Sequence, residues 1–272
     1  MKRIKKLISV LAVVSMLLVS GNLFAGAEEL TPREYLIQVG GLPADLVNSL
    51  REETVANLYE NAYGQDVDIA YETSVKEFPD TADGIVPYGD VIDPSKLRLN
   101  IFYINYYDSG TYALNRVYVV ADFDWLKIPA ALHTDTIAIN WPDKYLAFDS
   151  STFHSYCYGT WVGKPTVTIS NSTALRKTAQ GGLAYDIFSG SFGGSYNHVT
   201  EWYGNANFSL KPTTKIIRNS GVAGSIDMNY MHDGNPFSPF QIGVSIKGVS
   251  INLAEGMFNY PRAISHPWTV NE

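Results

Sequence analysis

The sequence predicts a mainly β protein: an antiparallel β-sandwich, or a partly open barrel, preceded by a short N-terminal helical hairpin. Beyond residue 96, about ten short segments alternate apolar and polar residues, and turns rich in Gly, Asn and Ser separate them. Before residue 65, the apolar residues recur at helical spacing instead. No period of about 20–50 residues repeats along the chain, which excludes a solenoid.

Residues 1–27 have the features of a signal peptide. Four basic residues near the start precede an apolar run, and Ala25, Gly26 and Ala27 supply small residues at the spacing that signal peptidase requires. An uncleaved anchor is the alternative, because residues 7–25 approach the ~20 needed to span a bilayer, but serine, glycine and asparagine interrupt them. We expect cleavage, and a secreted, extracellular protein whose only membrane contact is the signal peptide.

Charge and cysteine content limit the partners and the means of stabilisation. Loss of the signal peptide removes four of the 20 basic residues. The remaining chain has 16 basic and 27 acidic residues, and its net charge is −11. With no basic patch in the sequence, this charge excludes nucleic acid as a partner. Cys157 is the one cysteine, so no intramolecular disulfide forms and packing alone must hold the fold.

Residues 28–64 form the predicted helical segment. Thr31 lies three residues before Glu34, the spacing of a capping box, and Pro32 occupies the first helical position. Gly40 and Gly41 end this helix, and a second helical stretch follows Pro43 and stops before Gly64. Residues 65–96 are predicted as a linker, because 76–96 are rich in proline and aspartate, and the β domain then covers 97–272.

The β domain opens with an antiparallel hairpin around the turn at 108–111. In its second strand the odd-numbered residues from Val117 to Trp125 share one face, which we assign to the core. The other face carries Tyr118, Val120, Asp122 and Asp124, and we predict it to be partly wet.

The segment 242–253 is the clearest strand signal near the C-terminus. A turn at Lys247-Gly248 would make it a hairpin that pairs Ile246 with Val249, Val244 with Ile251 and Ile242 with Leu253. One long strand with a bulge is the alternative.

The stretch 153–163 holds Cys157 three residues after His154, which raises the question of a nucleophile and its base. An odd separation in a strand places the two side chains on opposite faces. Large aromatic residues flank Cys157 on its own face, so we predict a buried, unreactive thiol.

Asp122, Asp124 and Asp135 are the candidate metal ligands. Asp122 and Asp124 share a strand face about 6–7 Å apart, and Asp135 begins the next strand. Such carboxylates suit Ca²⁺, or acid/base work on a glycoside. The alternative is a solvated strand face that discourages edge aggregation. Ca²⁺ is therefore the single cofactor for which we find any sequence signal.

Aromatic residues make up 13% of the chain, and some follow polar neighbours in predicted strands. Tyr156, Tyr158, Trp202 and Tyr203 are the candidate ligand-binding residues, since exposed aromatic rings stack on sugar rings. The alternative is that aromatic residues pair across strands with no ligand.

The sequence contains no nucleophile elbow, zinc motif, phosphate loop or dinucleotide fingerprint. We therefore interpret it as a secreted, non-enzymatic β domain that binds a polysaccharide or a surface protein at a cell wall, matrix or other surface. Two alternatives stay open: a carboxylate-based hydrolase of the glycosidase kind, and a membrane-active toxin or bacteriocin-like protein.

Overall fold

The computed structural model describes residues 30–73, 92, 95–128, 134–161, 167–170, 175–179, 181–188, 199–233, 241–245, 248–252 and 259–270. The predicted signal peptide, and most of the proline- and aspartate-rich segment 76–96, lie outside these residues. In the part of the chain that is described, no helix is long and apolar enough to cross a membrane.

Three short helices precede the sheets: α1 Pro32–Gln38, α2 Ala44–Ser49 and α3 Glu52–Ala62. The predicted capping box is present at α1, with Thr31 and Glu34 bonded reciprocally. The predicted second stretch is two helices, because Leu50 and Arg51 adopt extended backbone angles. Arg33 stabilises this break by donating to the carbonyl oxygens of Val47 and, at 3.0 Å, Leu50, at the C-terminal end of α2.

The strands form two large antiparallel sheets and one hairpin, which confirms the predicted mainly β class. Sheet 1 has the order β1-β2-β3-β9-β5-β6, and sheet 2 has the order β13-β10-β4-β8-β7. The strands are β1 Val67–Thr73, β2 Leu97–Tyr107, β3 Leu114–Trp125, β4 Thr134–Asn140, β5 Leu146–Trp161, β6 Val167–Ser170, β7 Leu175–Ala179, β8 Gly182–Phe188, β9 Val199–Pro212, β10 Ala223–Asp233, β11 Gln241–Ser245, β12 Gly248–Asn252 and β13 Asn259–Thr269.

Strand β1 lies inside the segment 65–96 that the sequence predicted as linker. It pairs antiparallel with β2 along its whole length, with Val67 opposite Tyr106 and Thr73 opposite Asn100. Every residue of β1 is half-buried, so its period-two signal is weak. The paired segment therefore begins 30 residues earlier than the predicted β domain.

The main core fills the space between the inner faces of the two sheets. The odd-numbered residues of β3 from Val117 to Trp125 lie there, as predicted, and Phe123 packs its ring 5.5 Å from that of Tyr230 on sheet 2. Phe153 of β5 contacts Tyr185 of β8 at the same distance between ring centroids. Aromatic side chains from both sheets thus hold the sandwich together without a disulfide.

A second apolar cluster lies on the outer face of sheet 1, where the helices pack. Buried residues of α1, α2 and α3 meet Phe102 and Ile104 of β2 and Tyr118 and Val120 of β3. The prediction that this face of β3 is partly wet was therefore wrong. Alternation showed that the strand has two different faces, but it gave no sign that helices cover the second one.

The segment around residue 246 forms a hairpin rather than one bulged strand. β11 pairs with β12, with Ile242 opposite Ile251 and Val244 opposite Val249. The predicted register paired Val244 with Ile251, so the observed one is shifted by two residues. A two-residue shift keeps every side chain on its face, which is why alternation could not separate the two registers. Residues 246–247, between the two strands, lie outside the described part of the chain.

Candidate binding site

Cys157 lies in the core and His154 lies on the opposite face of β5, as strand parity predicted. Cys157 is 1% exposed, whereas His154 is exposed to solvent. Burial raises the pKa of the Cys157 thiol well above its usual range, so the thiolate that a nucleophile needs is strongly disfavoured. The cysteine is therefore a packing residue.

Asp135 lies on the inner face of sheet 2, between the two sheets. It accepts a hydrogen bond from the Tyr230 hydroxyl, and its Oδ1 lies 2.8 Å from Nδ1 of His232. Trp125 Nε1 donates to the Tyr230 hydroxyl at 2.9 Å, which extends this buried network to sheet 1. Sheet 1 separates Asp135 from Asp122 and Asp124, whose side chains lie on its outer face.

Asp122 is 2% exposed beneath helix α3. Its carboxylate accepts hydrogen bonds from Thr54 Oγ1 and Asn100 Nδ2, both at 2.7 Å. Burial raises the pKa of Asp122 to about 6, although the two hydrogen bonds act in the opposite direction.

Asp124 is as deeply buried as Asp122, and two arginines hold it. Arg51 Nη2 lies 3.0 Å from Oδ1, and Arg98 Nη2 lies 2.6 Å from Oδ2. Within the described ranges, no group of three or more His, Cys, Asp or Glu side chains is arranged to hold a metal ion. Asp122, Asp124 and Asp135 therefore have protein partners in place of a shared cation site.

Arg51 connects the helical layer to strand β9, on the same outer face of sheet 1. Besides Asp124, it binds Oε1 of Glu201 at 3.0 Å, and its guanidinium lies over the Tyr203 ring, 4.3 Å from the centroid. Tyr158 stacks on Tyr203 with a centroid distance of 4.9 Å and an angle of 12° between the planes. Asp124 and Tyr158 belong to β3 and β5, which flank β9, so Tyr203 lies between the guanidinium and the second ring.

These side chains form one surface, which we call the outer aromatic patch: Arg51, Glu53, Tyr156, Tyr158, Glu201 and Tyr203. Arg51 and Glu53 belong to the helical segment, and the other four lie on the neighbouring strands β5 and β9. Tyr156 and Tyr158 are half-buried, and Tyr203 is buried between its neighbours. The Tyr203 hydroxyl donates to Glu53 at 3.3 Å, and Thr160 Oγ1 donates to Glu201 at 2.9 Å. The patch is thus a hydrogen-bonded aromatic surface with acidic margins.

Three of the four predicted ligand-binding residues meet in this patch, and Trp202 does not. Trp202 is 1% exposed and packs in the main core, with its ring 6.4 Å from that of Phe123. Consecutive strand residues point to opposite faces, so Trp202 and Tyr203 could not both be on the outer surface. The parity argument applied to Cys157 would have limited the sequence-based set to one of these two residues.

Sequence reasoning did not find Arg51, Glu53 and Glu201. Glu201 had a signal, because it lies two residues before Tyr203 and therefore on the same strand face. Arg51 and Glu53 had none, since they reach the patch only through the docking of α3 on sheet 1.

Comparison with known proteins gives no family. No family model matches the chain, and the search of curated proteins finds no match. The C-terminal domain of the Streptococcus pyogenes antigen I/II-family protein AspA aligns at 10% identity and a TM-score of 0.30, over 64% of this chain and 55% of that one. AvmM, described as catalysing macrocyclization in alchivemycin A biosynthesis, aligns at 11% identity and a TM-score of 0.24, over 75% and 89%. At these TM-scores, function has to be argued from the chain's own residues.

Proposed function

We propose that this protein is a secreted, non-enzymatic β domain that binds polysaccharide at a cell wall, matrix or other surface. The observation that carries the proposal is the outer aromatic patch, in which Tyr156 and Tyr158 are only half-buried on strand β5. Aromatic rings on strands stack on the apolar faces of sugar rings, and adjacent carboxylates accept hydrogen bonds from sugar hydroxyls.

The patch is well ordered before any ligand arrives. Tyr203 is fixed by the guanidinium of Arg51 on one side and by Tyr158 on the other. A preorganised surface loses less conformational entropy on binding, which favours affinity for a flexible polymer. This order supports the assignment of a binding surface.

The hydrolase alternative rested on Asp122 and Asp124, and their environment does not favour it. Both carboxylates lie under helix α3 and bond to side chains of this chain. A glycosidase needs two carboxyl groups that flank the substrate, so these two are poorly placed for that chemistry. We therefore propose the binding function alone.

Binding of soluble polysaccharides, measured by affinity electrophoresis and titration calorimetry, tests the proposal. We expect at least one neutral or amino-sugar polymer to bind, and Tyr158→Ala to weaken that binding by about 2–10-fold, since an aromatic contact contributes about 0.5–1.5 kcal/mol. Calorimetry suits this site better than tryptophan fluorescence, because Trp202 lies on the other side of the sheet.

Tyr112→Asn is the matched control. Tyr112 is 56% exposed in the turn before β3, about 30–40 Å along that strand from Asp124, and its φ of 53° is one that asparagine tolerates. This variant should bind as the wild type does. Absence of binding across the polymer panel, or equal losses in the two variants, would contradict the proposal.

A further inference from the structure

The outer aromatic patch and the layer beneath it carry an excess of carboxylates. Among the described side chains there, Glu53, Asp124 and Glu201 face two arginines, Arg51 and Arg98, and Asp122 adds a negative charge only above about pH 6, because burial raises its pKa. Asp124 binds both arginines and Glu201 binds one of them, so neither cation is left for an anionic ligand. Glu53 accepts a hydrogen bond from the Tyr203 hydroxyl and forms no ion pair with any described residue. The local charge therefore repels anions and attracts cations.

A buried hydrogen-bond acceptor lies in the same place. Asn205 is on the outer face of β9, between Asp122 on β3 and Tyr156 on β5 in the strand register. It is 4% exposed, and no donor from the described residues lies within hydrogen-bond distance of its Oδ1. Leaving such an acceptor unpaired costs about 1–3 kcal/mol, and because Oδ1 is itself buried, only a donor that enters the layer beneath the rings removes that cost.

The ring faces of Tyr156 and Tyr158 also attract cations. Tyrosine faces carry negative quadrupole potential and attract ammonium groups, by about 0.5–1 kcal/mol at exposed sites. Arg51 already shows this contact on Tyr203, where it occupies one ring face. A ligand cation at Tyr158 would repeat that arrangement beside Glu53 and Glu201.

We propose that the outer aromatic patch selects saccharides that carry protonated amines over neutral ones, and excludes anionic ones. This inference rests on the proposed function and names its ligand class. The amine donates to Glu53 or Glu201 while the sugar ring stacks on Tyr158. Uronic acid or sulfated polymers meet the same carboxylates and are repelled.

Three oligosaccharides of matched length test the inference by titration calorimetry at about pH 5.5, where amines are protonated and the hydrogen bonds that lower the pKa of Glu201 keep it ionised. They are a glucosamine oligomer, its N-acetylated form and a galacturonate oligomer. We expect the glucosamine oligomer to bind about 3–10-fold more tightly than the N-acetylated one, and the galacturonate oligomer to bind least. Raising the salt to about 1 M should reduce this ratio, since it shortens the screening length to about 3 Å.

Glu53→Gln and Glu201→Gln identify the source of the selectivity. Each keeps the side-chain shape, and each should lower the ratio of glucosamine to N-acetylglucosamine affinity, by up to about fivefold. The readout is this ratio, so a variant that weakens both ligands equally does not count as support. Urea denaturation of each variant confirms that the fold is intact.

The outcomes separate the two proposals. If neutral oligomers bind through Tyr158 but the galacturonate oligomer binds as tightly as the glucosamine one, the inference is overturned and the proposed function stands. An unchanged affinity ratio in both glutamine variants overturns it as well. If none of the three oligomers binds and the wider polymer panel also fails, the proposed function fails and the inference fails with it.

Discussion

Asp122 is a carboxyl group that the fold holds almost without water, and its charge is therefore costly. Its pKa is raised to about 6, above the ordinary value of 3.8, because desolvation outweighs the hydrogen bonds from Thr54 and Asn100. Between these two pH values the folded protein binds more protons at this site than the unfolded chain. The contribution of Asp122 to stability is therefore greatest below about pH 4, falls as the pH rises through about 6, and is then constant.

We predict that Asp122→Asn removes this pH dependence. Asparagine can accept from Asn100 and donate to the hydroxyl of Thr54, so both contacts survive without a charge. Relative to the wild type, the variant should gain about 3 kcal/mol between about pH 4 and pH 7.5, the equivalent of roughly two pKa units. Urea denaturation at several pH values measures the difference in unfolding free energy.

Asp149→Asn is the control of opposite sign, because hydrogen bonds from Lys211 and Ser151 lower the pKa of Asp149 to about 2. Its stability relative to the wild type should fall as the pH rises from about 2 to about 4, between the folded and unfolded pKa values of Asp149, and change little above that. A wild-type-like pH profile in Asp122→Asn would show that Asp122 is ionised at little cost.

At the scale of elements, the seam between α3 and sheet 1 depends on the pairing of Asp124 with Arg51 and Arg98. Arg51 is the residue immediately before α3, so its ion pair fixes where the helix begins relative to β3. Arg98 also donates to the carbonyl oxygen of Ser49, the last residue of α2, at 2.7 Å. One carboxylate therefore orients the ends of two helices.

Asp124→Asn should destabilise the protein by about 2–3 kcal/mol in urea denaturation. Removing one partner of a buried pair costs about 3–5 kcal/mol, and the partial exposure of the two arginines lowers this. Loss of the Asp149–Lys211 pair in Asp149→Asn at neutral pH should cost far less, because Lys211 is largely exposed. Equal losses in the two variants would mean that the seam is not held by this carboxylate.

The sequence predicted individual elements well where local chemistry decides them. The capping box at Thr31 and the parity of Cys157 and His154 are local properties, and both were confirmed. The register of β11 and β12 was missed, since two registers keep the same alternation. The break at Leu50 was missed because Arg33, seventeen residues away, stabilises it.

At the scale of the whole molecule, the helices form a third layer over sheet 1. Sequence reasoning predicted the sandwich and the helical segment but had no means to dock one on the other, because nothing in the alternation of β3 distinguishes a helix-covered face from a solvated one. Because the docking of the helices could not be predicted, Arg51 and Glu53 were absent from the predicted site. Tertiary contact, not residue type, brings them to Tyr203.

Deletion of residues 28–64, with the predicted signal peptide also absent, should expose the apolar cluster on β2 and β3. Phe102, Ile104 and Val120 are all fully buried beneath the helices. We expect the shortened protein to bind a hydrophobic dye and to self-associate, as proteins with large apolar patches do. Dye fluorescence and light scattering measure this.

The protein that lacks residues 1–27 alone is the control, and it should stay monomeric without dye binding. A shortened protein that matches this control in both assays would show that the helical segment is an independent adaptor rather than a layer of the fold.

The stacked side chains of Arg51, Tyr203 and Tyr158 also constrain the order in which the chain folds. They come from positions about 45 to 150 residues apart, and Tyr203 reaches its place only when β9 inserts between β3 and β5. Contacts of such long sequence separation carry a large loop-closure cost and form slowly. The outer aromatic patch should therefore be among the last parts of the protein to assemble, and its appearance would mark the completion of folding.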